Sequence, residues 1–380
     1  MKQLLFSTLV IVVFSTCKNK LEVLAPGKEM VSVYGILDAT QLTQNIRINK
    51  VFLNENDALI SAKNANEINY APGEITVSLQ RFLTGNSIPQ LTTIGNSSKT
   101  EIVLTETVST TEDGVFNNLQ RIWQTTDRLY RNGEYKLMIK KTATGDIIAS
   151  SQNVIIDSLS TAGAVMPFVF LPSNPTSFPN YLPPFIDQYT GLTPSTRYID
   201  YSNFIKTNAI KFKTIKNAKV YDVIMRFHYI DSLLDNSVVN HFVDFNFNSQ
   251  KGNLSKIDEQ LSVEFLANDF YTNLEREITK KGPVANLKNR KSYYMEYIVF
   301  AGAESLSDFL EVNAPSNTIA QDKPYFTNIT GGVGIFSSRS TCSVSKKLDN
   351  LFIDKIACNP STFPLLFCNS SGVKPSTACP

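Results

Sequence analysis

Two histidines, His228 and His241, are the only imidazoles in the chain, and Asp222, Asp231, Asp235 and Asp244 lie around them. A histidine beside an aspartate can hold a metal ion or move protons as a general acid and base. Both histidines fall on alternating, strand-like sequence, however, where half-exposed His and Asp make up the ordinary polar face of a sheet. No short ligand spacing such as His-Glu-x-x-His is present. The expectation is a chain with no metal, no cofactor and no catalytic residues. Asp258, Glu259, Glu264, Asp269 and Glu275 read as a solvated face rather than a glycosidase pair. Gly331-Gly332-Val333-Gly334 lacks the Lys-Ser or Lys-Thr of a phosphate cradle, so its glycines supply turn and bulge geometry instead.

Five cysteines carry the remaining chemistry, and they divide by position. Cys17 follows Ser15-Thr16 at the end of a short basic start and an apolar run, Leu4 to Phe14. As a helix that run is roughly 16 Å long, too short to cross a hydrocarbon core of ~30 Å. It reads as an export signal over residues 1–16, and small residues before a cysteine resemble a bacterial lipobox. Cys17 is the expected lipidation site, the alternative being a soluble exported protein with a chance cysteine. Several acyl chains on one residue hold a protein firmly to a membrane. Cys342, Cys358, Cys368 and Cys379 cluster at the other end of the chain. In an exported protein they are expected to form two disulfides, in any of three pairings, with a four-thiolate zinc site as the lesser alternative.

Positioning these residues calls for a mainly β fold. Residues 17–24 read as a tether, and residues 25–162 as an N-terminal antiparallel β-sandwich of immunoglobulin-like shape. Its short strands alternate with period two, as in Ile75 to Gln80, and Pro72-Gly73, Asn132-Gly133 and Thr144-Gly145 separate them. Residues 163–196 hold seven prolines among Phe168, Phe170, Phe178, Tyr181, Phe185 and Tyr189, a composition that argues against regular ladders. This stretch is either an interdomain linker or a loop that docks a partner through its aromatics.

Residues 197–340 read as an α+β domain with an antiparallel sheet and one main helix. Strands are expected over Lys219–Ile230, His241–Asn248 and Tyr293–Phe300, and Val263, Leu266, Phe270, Leu274 and Ile278 recur at helical spacing. Lys280-Lys281-Gly282-Pro283 supplies the stop. Residues 341–380 read as a disulfide-stapled tail with little core of its own.

A net charge of +2 gives no basic stripe of the kind nucleic-acid binding needs, so no nucleic-acid partner is expected. With 42% apolar and 18% charged residues the chain is neither a disordered tail nor a polytopic membrane protein.

The combined pattern resembles the DUF4249-type family of uncharacterised outer-membrane lipoproteins of Bacteroidota. The likeness rests on the lipobox-like start, on Val33-Tyr34-Gly35-Ile36-Leu37-Asp38, on Ile46 to Leu53 with Asn56-Asp57-Ala58-Leu59, and on Phe326 to Phe336. It leaves the cysteine-rich tail outside. The resemblance implies a sandwich followed by a second β-rich domain, some relatives being encoded beside TonB-dependent receptors, and it carries over no catalytic residue. Asp157-Ser158-Leu159 and Asp231-Ser232-Leu233 also resemble an O-glycosylation sequon of that phylum, which requires Ser158 and Ser232 to be exposed in loops. Lys18-Asn19-Lys20 is basic where surface-exposed members carry acids, so the periplasmic face and the cell surface both stay open.

The functional expectation is a non-enzymatic accessory lipoprotein that stabilises an outer-membrane complex, one containing a TonB-dependent or other β-barrel protein. The alternative is capture of a glycan or peptide for a transporter, with Tyr198 to Tyr201 and Tyr293 to Tyr297 as pocket walls or as plain strand packing.

Overall fold

A computed structural model of the chain describes residues 30–51, 62–83, 92–94, 97–99, 101–110, 119–127, 129–157, 159–160, 169–172, 199–203, 205–256, 259–314 and 325–379. The chain opens with β1 (Met30–Asp38) and β2 (Gln44–Val51), then a short helix α1 (Ala65–Ile68) and β3 (Ile75–Leu83). There follow β4 (Thr92–Ile94), β5 (Ser97–Lys99), β6 (Glu101–Val103), β7 (Thr105–Thr110), β8 (Leu119–Thr125), β9 (Gly133–Lys141) and β10 (Ile147–Val154). After β11 (Leu159–Ser160) and β12 (Val169–Pro172) come β13 (Thr207–Lys213), β14 (Ala218–Leu233), β15 (Val238–Asn246), β16 (Gln250–Lys251) and β17 (Gln260–Leu266). The remainder is α2 (Ala267–Lys280), β18 (Leu287–Ala303), α3 (Glu304–Asn313), β19 (Gly332–Lys347) and α4 (Asn350–Cys358). The fold is mainly β with antiparallel sheets and few helices, as expected.

One large sheet runs β15-β14-β18-β19-β1-β2-β8-β7, and a second runs β10-β9-β3-β6. Alternation in β1, β2 and β8 buries Val33, Ile46, Ile48 and Trp123 against Val77, Leu79, Leu137 and Ile139 of β3 and β9, which forms the sandwich core. Phe336 and Ile329 complete that core from far along the chain. They reach it because β19 pairs in parallel with β1, Val31 beside Gly332 and Val33 beside Gly334. The glycine loop therefore serves backbone geometry. Gly331 and Gly334 have positive φ, and a Cβ on Gly334 would run into the Val33 carbonyl oxygen.

The other core lies on one face of the long β14–β18 ladder. Val223, Met225, Phe227 and Tyr229 with Met295, Tyr297 and Val299 meet Phe270, Leu274 and Ile278 of α2 and Phe352 and Ile356 of α4. Three expectations need correction here. Helical spacing placed Val263 and Leu266 in the main helix, but they belong to β17, where Leu261, Val263 and Phe265 alternate and Val263 pairs with Ile210. No break falls at residue 340, since β19 continues to Lys347, and the tail is not without a core, since Phe352, Ile356, Leu365 and Phe367 are buried in this one. The proline-rich stretch also forms a short ladder, with Phe170 of β12 beside Phe212 of β13 and Pro172 at the strand end.

Candidate binding groove

The histidines stand on adjacent strands but on opposite faces, because His228 pairs with Phe242 and Tyr229 with His241. His228 stacks on Tyr294 with ring centroids 4.1 Å apart, and its Nε2 lies 3.1 Å from Glu296 Oε2. His241 stacks on Tyr229 and brings Nε2 to 3.4 Å from Asp231 Oδ2. Both are the partly exposed strand residues that the sequence suggested, and the carboxylates they approach, Glu296 and Asp231, are buried. Asp231, however, is engaged by Arg290, and Glu296 sits on the strand beside the Arg226–Asp244 pair. These contacts lock strands together. Among the described residues no group of three or more His, Cys, Asp or Glu side chains stands as a metal-holding set.

Where α2 crosses the edge of the large sheet, a groove opens with a cavity of about 350 Å³. Its floor is aromatic. Phe245 of β15 stacks on Phe270 of α2 at 5.1 Å, and Phe247 meets Phe265 of β17 at 5.6 Å. One wall is a stripe on α2, Asp269, Asn273 and Glu277, spaced four residues apart and so on one helix face. The other is β15, with Asp244 and Asn246.

Local sequence explains the helix that builds this wall. Asp269 in its first turn accepts the Leu266 N–H at 3.3 Å, Phe270, Leu274 and Ile278 bury one face, and Gly282 takes positive φ just past Lys281.

Among the described residues β15 is the terminal strand of its sheet. Phe247 N–H donates to Val223 O at 3.1 Å, so residues in step with Phe247, namely Phe245 and Val243, turn their main-chain groups toward β14. By alternation Phe242, Asp244 and Asn246 point theirs outward. Phe242 O accepts Lys281 Nζ at 2.8 Å, and among the described residues no backbone group pairs with the outward edge of Asp244 or Asn246.

The charges along the walls are unevenly compensated. Arg226 grips Asp244 with two hydrogen bonds of 2.6 and 2.8 Å, and Glu277 takes Arg276 and Lys280 at 3.0 and 2.8 Å. Asp269 has no ion-pair partner among the described residues.

The residues singled out in the sequence lie mostly elsewhere. Cys17, Ser158, Phe168, Phe178, Tyr181, Phe185, Tyr189 and Tyr198 are outside the described residues. Ser232 is not in a loop but on β14 between Val238 and Asn289, so it does not meet the exposure its sequon requires. Of the tyrosines considered as pocket walls, Tyr201 and Tyr297 are buried in the core with their hydroxyls 2.5 Å apart, and burial raises both phenols above their usual range.

Of the four clustered cysteines, Cys358 and Cys379 form a disulfide, while Cys342 and Cys368 stay free, which corrects the expected pair of disulfides. The ladder explains why. Cys342 sits beside Val299 of β18 and Cys368 beside Arg290 of the same strand, roughly 30 Å apart at ~3.3 Å per residue.

The expected strand over His241–Asn248 holds Phe245 and Phe247, but the groove was missed, because Phe265 and Asp269 join it only through the strand-to-helix switch at Leu266. Neither models of known protein families nor curated proteins give a match to this chain.

Proposed function

We propose that this chain is a non-enzymatic accessory lipoprotein of a bacterial outer membrane, anchored through acyl chains on Cys17. Its role is to bind an extended segment of an outer-membrane β-barrel or another envelope protein. The observation that carries this reading is the edge of β15, unpaired among the described residues, beside the aromatic groove. An exposed strand edge offers main-chain donors and acceptors that a partner strand satisfies, while a neighbouring pocket selects its side chains. Exposed Phe242 on the same strand adds apolar area at the contact.

The test is a mild-detergent pull-down from native membranes, run with the wild type and with Asn246→Pro. Proline there removes an outward N–H and breaks no bond to β14. Near-stoichiometric recovery of a barrel or envelope protein with the wild type, lost with the variant at unchanged melting temperature, supports the reading. A wild type that purifies alone in every detergent, or a variant that keeps the partner, overturns it.

The cavity itself favours a second reading, capture of a glycan or peptide for delivery to a transporter, since an apolar floor with a few polar groups at its rim is the usual form of a ligand site. Binding of a free glycan that Asn246→Pro leaves intact would move the weight there.

A further inference from the structure

We infer that the groove takes a lysine or arginine side chain from an extended polypeptide segment paired along β15, with its aliphatic stem on the phenylalanine floor and its charged end at Asp269. This rests on the edge-pairing reading above and specifies what the partner must carry. A strand added at the outward edge of Asp244 and Asn246 alternates its side chains, so every second one points to the face of Phe245, which is the face of the cavity.

The chemistry of that cavity selects among side chains. Its floor is four phenylalanine rings in two contacting pairs, and ring faces attract cations. Its α2 wall carries Asp269 and Glu277 beside Arg276, while the Asp244 carboxylate is held by Arg226 on the opposite face of β15. Asp244 is paired with Arg226, and Arg276 and Lys280 share Glu277, so Asp269 is the wall carboxylate with no ion-pair partner among the described residues. An acidic partner side chain would be repelled by Asp269, and a purely apolar one would gain nothing from it. A long stem with a cationic end satisfies both the floor and the carboxylate, the stem buried and the head near water.

The experiment uses the full mature chain in mild detergent and fluorescent peptides of roughly nine residues, a usual strand length. They alternate Thr and Val around a central Arg, Lys, norleucine or Glu. The Arg and Lys peptides are expected to bind about tenfold more tightly than the norleucine peptide, the size of a partly desolvated cation–π contact with one ion pair. Asp269→Asn should bring the Arg peptide down to the norleucine level and leave the norleucine peptide unchanged. Asp269→Lys should reverse the order in favour of Glu. Equal affinities for the Arg, norleucine and Glu peptides would overturn this inference and leave edge pairing standing. Failure of every peptide to bind, or unchanged binding in Asn246→Pro, would overturn the edge reading and this inference with it.

Discussion

Arg290 lies directly across the β14–β18 ladder from Asp231, and its Nε donates to Asp231 Oδ1 at 2.9 Å with both side chains buried. The same guanidinium donates to Leu365 O at 2.8 Å, while the Arg290 main chain exchanges hydrogen bonds with Leu366 O and Cys368 N–H. One residue thus joins the sheet to the cysteine-bearing tail, and His241 Nε2 lies 3.4 Å from the other Asp231 oxygen. A buried ion pair of this kind costs much to break and little to replace whole, because removing one partner strands the other charge out of water.

Arg290→Met is therefore expected to lower stability by about 3–5 kcal/mol, the usual cost of an orphaned buried charge. The tail beyond Cys358 should become open to proteases, with the cleaved piece held by the Cys358–Cys379 bridge until it is reduced. Adding Asp231→Leu should return part of the loss. Urea unfolding with limited proteolysis checks this, and an Arg290→Met protein with an unchanged midpoint and an intact tail would refute it.

The free thiols give a second prediction. Burial pushes the Cys342 thiol up to about 12, and burial also raises Cys368, against the pull of nearby Lys291 and Lys374. Since the thiolate is the reactive form, both should label with maleimide at least about a hundredfold more slowly than free glutathione in neutral buffer. In urea without reductant they should label readily, and peptide mapping should recover one linked pair, Cys358 with Cys379. Rapid labelling of the native chain, or a peptide linking Cys342 to Cys368, would count against the structure.

Much of the fold was legible because period-two alternation is a local signal. Val223 to Tyr229 and Phe245 to Phe247 declared their faces, and Lys280-Lys281-Gly282-Pro283 declared the end of α2. Val263 misled because it satisfies two periods at once, three before Leu266 in a helix and two before Phe265 in a strand. The strand reading prevails because β13 is there to pair with it. The parallel union of β1 with β19 could not be read at all, since no local pattern records a partner some 300 residues away. Its one trace was the glycine loop, where Gly334 is needed for its positive φ and for the close approach of Val33. Edge status likewise depends on which strands find partners, so the groove at β15 was invisible while its phenylalanines were in view.

Glu74 provides the pH dependence. It joins the two sheets of the sandwich, with Oε2 3.2 Å from Lys50 of β2 and Oε1 3.0 Å from Lys141 of β9, and both lysines stand over the Tyr70 ring. Burial works against its charge, but the Ala71 N–H and the two lysines outweigh this and hold the carboxyl down to about 2. A carboxyl depressed on folding stabilises the native state above its unfolded value, near 4.3, and that contribution fades as pH falls through the folded value. Glu74→Gln should thus cost about 1 kcal/mol at neutral pH, the side chains being partly exposed and screened by salt. The gap between variant and wild type should close as the medium is acidified from about pH 4 toward about 2, where Glu74 itself becomes neutral. Urea unfolding of both proteins across that window reads it directly. A gap that stays constant with pH would mean that Glu74 stabilises the sandwich through packing and not through its charge.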